Sequence, residues 1–158
     1  MSNSITGDLM IRLTVFAATL ALFAGPVFAR DTGPLGDKVG QFVGSGEGEL
    51  SAEITHLQND VYAISITTTV PMENDIPGCG GGINGEMIMT ETGGNFFVEN
   101  EDYVQNSSSP LTNERYCEIG VNFDEDGFLN IEERNGCIAY HGASCGFSGQ
   151  LISVNAIN

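Results

Sequence analysis

Hydrophobic and polar positions alternate with a period of two along most of this chain, which predicts strands rather than helices. Leu50, Ala52, Ile54 and His56 alternate with Ser51, Glu53 and Thr55. Asn59-Asp60 marks a turn, after which Tyr62, Ile64, Ile66 and Thr68 alternate with Ala63, Ser65 and Thr67, completing a β-hairpin. Pro71 to Pro77 reads as a loop, and Ile83, Gly85, Met87 and Met89 begin the next strand. Gly93-Gly94 turns the chain into Asn95 to Val98. The polar stretch Glu99 to Arg115, with Ser107-Ser108-Ser109-Pro110 inside it, is a long exposed connection. Cys117, Ile119, Val121 and Phe123 share one face. Asp124-Glu125-Asp126-Gly127 then reverses the chain into Phe128 to Glu132, and Phe147 to Val154 forms the last strand. No helical period is sustained beyond Ala29.

Seven or eight short strands joined mostly by tight turns predict an all-β fold, an antiparallel meander closing into a small barrel or sandwich. Closure removes the free edges that a long open meander would expose. The single β-domain is expected over residues 46–158, preceded by a Gly-rich, weakly patterned lead-in over 30–45 that reads as flexible.

Residues 1–29 have the character of an export signal. Arg12 supplies positive charge, Leu13 to Ala24 is an apolar run, Gly25-Pro26 breaks it, and Val27-Phe28-Ala29 offers a cleavage site before Arg30. Met10 makes a more typical start for such a signal than Met1. The run is too short to span a bilayer, which needs about 20 apolar residues, so no integral membrane anchor is expected. The mature protein is expected to be periplasmic or secreted.

The net charge is −16, and loss of Asp8 and Arg12 with the leader leaves it unchanged. That sign excludes nucleic acid and anionic membrane surfaces as partners and favours either a solubilised surface or a cationic exported partner. Four cysteines, Cys79, Cys117, Cys137 and Cys145, form an even set, which in an exported chain argues for two disulfides. Three connectivities exist; the short span between Cys137 and Cys145 favours that pair, leaving Cys79 with Cys117.

Three constellations carry candidate chemistry. Asn122, Asp124, Asp126 and Glu133, with Gly127 between them, follow the spacing of an EF-hand calcium loop, with Asn in place of the first Asp. The flanks alternate as strands, so an acidic hairpin turn accounts for the same residues and calcium is the weaker alternative. His141, beside Tyr140 and between Cys137 and Cys145, has Ser144, Ser148 and Glu133 within reach of a hydrolase-like triad. The chain has no G-x-S-x-G elbow, and a tight loop with a backbone-bonded His is expected instead. His56 lies on an apolar face and reads as a barrel-end residue. No C-x₂-C knuckle supports zinc, and Gly78-Cys79-Gly80-Gly81-Gly82 lacks the Lys-Ser/Thr of a phosphate loop. No cofactor is expected, and no catalysis.

The order Cys79-Gly80-Gly81, Cys117, Glu133, Cys137, Tyr140-His141-Gly142, Cys145 and Phe147-Ser148-Gly149 resembles a group of small exported bacterial disulfide-bonded β-proteins of unassigned function. The chain is also faintly similar to the periplasmic lysozyme inhibitors, small β-barrels with disulfides. Their c-type members carry a Ser-Gly-x-x-Tyr motif that reaches into the lysozyme cleft. Here that stretch is Ser148-Gly149-Gln150-Leu151-Ile152, with Ile in place of Tyr. The resemblance implies a non-catalytic binding protein, an inhibitor of a cationic muramidase in its most concrete form. Tyr140, His141, Ser144, Ser148, Asp124 and Asp126 are the expected binding residues. The alternatives are a small-ligand carrier with an under-filled barrel and a calcium-stabilised structural domain.

Overall fold

Each alternating run becomes a strand with its apolar set turned inward. The structure, a computed structural model, describes residues 33–157; the signal segment and the cleavage position near Ala29 lie outside the described residues. Eight strands follow one another: β1 (Gly40–Gly46), β2 (Glu49–Gln58), β3 (Val61–Val70), β4 (Cys79–Ile88), β5 (Gly93–Glu99), β6 (Tyr116–Phe123), β7 (Leu129–Asn135) and β8 (Gly149–Ser153). The 3-10 turns Gly36–Lys38 and Val154–Ala156 flank them. Among the described residues no helix is long and apolar enough to cross a membrane.

All strand pairs are antiparallel, in the order β4-β3-β2-β1-β8-β7-β6-β5. The first and last strands therefore meet in the middle of the sheet. The two edges, β4 and β5, are consecutive in the chain and curl round to face each other. They pack without a hydrogen-bonded ladder. Gly85 of β4 makes room for Phe96, since a Cβ there would lie 2.9 Å from the ring. The result is a nearly closed barrel.

Its interior is filled. Phe42, Tyr62, Phe96 and Phe147 are at most 1% exposed and pack with Ile54, Ile64, Ile66, Ile119, Leu129 and Leu151. Each such side chain stabilises the fold by roughly 1.5–3 kcal/mol. These side chains crowd the barrel interior.

Strand β1 corrects one expectation. Residues 40–45 are not a flexible lead-in: β1 pairs with β2 along one side and β8 along the other. Two of its three glycines, Gly44 and Gly46, weaken the alternation but allow the backbone of β8 to approach closely, where a Cβ would collide with it.

The disulfides correct a second. They join Cys79 to Cys145 and Cys117 to Cys137, not Cys137 to Cys145 and Cys79 to Cys117. Register decides. Glu118 pairs with Asn135, which carries Cys137 alongside Cys117. Gly81 bridges His141, which brings Cys145 back toward Cys79. Nearness along the chain loses to cross-strand geometry.

Candidate functional site

Up-and-down order gives the barrel two unlike ends. At the turn end lie the tight reversals after β2, β4 and β6. At the loop end lie the β1–β2 turn, the β3–β4 loop (71–78), the β5–β6 loop (100–115) and the β7–β8 loop (136–148). Both disulfides sit at the loop end, and both hold the β7–β8 loop.

That loop crosses from β7 to the exposed edge of β4. Gly82 N–H donates to the Tyr140 carbonyl at 3.0 Å and Gly142 N–H to the Gly80 carbonyl at 3.3 Å. The Tyr140 hydroxyl donates to the Glu99 carbonyl at the end of β5, at 3.0 Å. One short segment thus bridges the two strands that the ladder leaves apart. Gly81 permits it: a Cβ there would collide with His141 and lie 2.6 Å from the Tyr140 carbonyl oxygen.

His141 is held on every side. Its side chain is 8% exposed and stands edge-on to Phe147, with ring centroids 5.2 Å apart. Nε2 lies 3.1 Å from the Glu133 carboxylate, and Nδ1 lies 2.8 Å from the Gly142 carbonyl. Both ring nitrogens face oxygen acceptors, so neither is left to deprotonate a nucleophile. Glu133 also accepts from the Phe147 N–H at 3.1 Å, and its own N–H donates to Ser148 Oγ at 3.1 Å. The residues that suggested a triad form a structural brace. Ser144 is exposed.

Asp124 and Asp126 lie at the turn end, before β7 begins, while Glu133 of the brace lies toward the other end of β7. Asp124 Oδ1 accepts the N–H groups of Asp126 (3.1 Å) and Phe128 (2.9 Å), and Oδ2 accepts Asn130 Nδ2 (3.0 Å). An Asp that caps its own turn in this way needs no ion. Donation by Asn130 holds its carboxyl below the usual range; partial burial opposes this, and the backbone donors reinforce it. Glu133 is committed to His141, and Asn122, Asp124, Asp126 and Glu133 are not gathered. Among the described residues no three His, Cys, Asp or Glu side chains are placed to hold a metal.

At the loop end, Glu47, Glu73, Asp75, Glu101 and Asp102 are exposed. The same loops expose apolar side chains, Met72 at 71%, Ile76 at 67%, Val104 and Leu111. The tip of the β3–β4 loop is a tight turn in which Asn74 (φ 49°) and Asp75 (φ 65°) are both left-handed, closed by a bridge between Glu73 and Ile76. Local pattern alone did not select this mixed acidic and apolar rim, because its members come from separate loops gathered only by the barrel. The signal that was available is the order of the strands: in any meander, alternate loops share an end. Comparison with known proteins finds no matching family model, no similar curated protein and no similar solved structure.

Proposed function

We propose that the protein is an exported, non-catalytic binding module that engages a cationic protein through the loop end of its barrel. One observation carries the reading. The disulfide-held loop end combines exposed carboxylates (Glu47, Glu73, Asp75, Glu101, Asp102) with exposed apolar side chains (Met72, Ile76). Carboxylates steer a basic partner at long range, and apolar anchors on a rigid frame supply contact area at little ordering cost. With Tyr140, His141 and Ser148 committed internally, they act as supports of the rim, and Ser144 lies on it.

A muramidase of the lysozyme type is the concrete candidate, being a basic enzyme met outside the cytoplasm. The test is clearing of a bacterial cell suspension by lysozyme in the presence of excess protein. Inhibition is expected at low salt, with relief when Glu73 and Asp75 are both changed to Lys. Undiminished clearing at low salt removes the muramidase reading.

A further inference from the structure

The outer face of β5, β6 and β7 holds a shallow groove of about 590 Å³ that lies on the barrel wall, away from the loop end. Its construction differs from the rest of the surface. Register shifts at Glu118/Ile119: Glu118 pairs with Asn135 and Ile119 with Glu133, so Arg134 is the extra residue of a β-bulge. Bulges re-aim side chains, and this one lays the Arg134 guanidinium flat over Gly120, where a Cβ would lie 2.7 Å from Nη2. Glu132, Glu118 and Asn95 Oδ1 fix the guanidinium at 2.9, 3.3 and 3.0 Å.

Asn95, Asn122 and Asn130 line the same groove. Asn130 is tied to Asp124 and Gln150. Among the described residues, neither the Asn122 carboxamide nor Nδ2 of Asn95 has a hydrogen-bond partner. One step along β5 on the same outward face stands Phe97, 56% exposed, diagonal across the ladder from Tyr116, 41% exposed. The exposed Phe97 ring therefore stands next to Asn95 and its groove, while the Tyr116 ring beyond it carries the Arg115 guanidinium 5.2 Å above its centroid.

We infer that this face is a binding site for a neutral oligosaccharide. Carboxamides offer a donor and an acceptor side by side, matching vicinal hydroxyls that donate and accept. The apolar C–H face of a pyranose packs on an aromatic ring. An open groove suits an extended chain that an enclosed pocket would exclude. The ligand is neutral because the chain's net charge of −16 repels anionic glycans, while Arg134 is already matched by Glu132 and Glu118. The assignment does not depend on a cationic partner at the loop end.

The test is titration of the ¹⁵N-labelled protein with β-1,4-linked tetramers of glucose and of N-acetylglucosamine, up to about 10 mM, well above a millimolar dissociation constant. Amide shifts are expected to cluster on β5–β7, to change little with salt, and to saturate. Asn122→Ala and Phe97→Ala, both at exposed positions, are each expected to weaken binding about fivefold or more, with an unchanged near-ultraviolet circular dichroism spectrum. Absence of shifts with both tetramers, shifts lying elsewhere, or full affinity in both variants overturns the assignment.

Discussion

Glu133 holds His141 and the Phe147 N–H at once, at 3.1 Å each, and so fixes both limbs of the loop that spans the barrel seam. Replacing Glu133 by Ala leaves a nearly buried imidazole and a backbone donor without their acceptor. A loss of about 2–3 kcal/mol in urea unfolding is expected. His141→Ala is expected to cost less, about 1–2 kcal/mol, because the carboxylate keeps one donor. The two changes share a partner, so the double variant should lose less than their sum.

The disulfide connectivity is checked by mass spectrometry of a non-reducing digest, which should yield the Cys79–Cys145 and Cys117–Cys137 peptides. The first bridge spans 66 residues and the second 20. Loop-closure entropy then assigns them about 4 and 3 kcal/mol. Paired Cys→Ser variants should show that ranking in their unfolding midpoints, with the Cys79/Cys145 pair the costlier loss.

Gly81 faces the backbone of the crossing segment with no room for a side chain. Gly81→Val is expected to lift residues 140–142 off β4 and destabilise the fold by about 2 kcal/mol or more, within the range for overpacking. Amide exchange should accelerate at Gly82 and Gly142, whose N–H groups make the bridging bonds. Gly82→Val, at an exposed outward position where a Cβ meets its nearest atoms 3.8 Å away, is the matched control and should leave those amides slow.

Both extremes of pH act on identified groups. The Asp124 carboxyl titrates below its ordinary value, chiefly through Asn130 Nδ2, against the opposing effect of burial. A depressed carboxylate stabilises the fold above about pH 3.9, and that stabilisation disappears as pH falls through the folded value. A carboxyl-carbon NMR titration should find Asp124 among the last carboxylates to protonate. The Tyr140 phenol is pushed up, first by burial and then by the Glu101 charge. Its contribution is complete below about pH 10 and is lost as pH rises further, through the folded value. Ultraviolet titration should show late ionisation that Tyr140→Phe diminishes.

Strand identity was legible because one face of nearly every strand is buried, which forces the alternation seen in Tyr62–Ile64–Ile66 and Cys117–Ile119–Val121. Strand β1 was hidden because Gly44 and Gly46 serve backbone proximity, which leaves no hydropathy signal. The disulfide partners were hidden for a related reason. A register of pairing between distant strands sets them, and chain separation is a poor guide to it. The candidate residues divided in the same way. Glu133, His141 and Ser148 do come together, as the spacing suggested, but as a brace. Asp124 and Asp126 were linked to them only by sequence nearness, and β7 carries them to the opposite end. Arg134 escaped notice because a bulge, invisible to a period-two reading, gives it its direction.

The nested sulfur linkages also constrain how the chain matures. Along the chain Cys79 and Cys117 come first, and Cys137 and Cys145 follow. Oxidation in order of appearance would join the wrong pair. Native pairing follows when oxidation comes after β6 and β7 have paired and residue 141 has met β4, or when first-formed bonds exchange. The yield of native protein becomes a readout of the host's isomerase capacity.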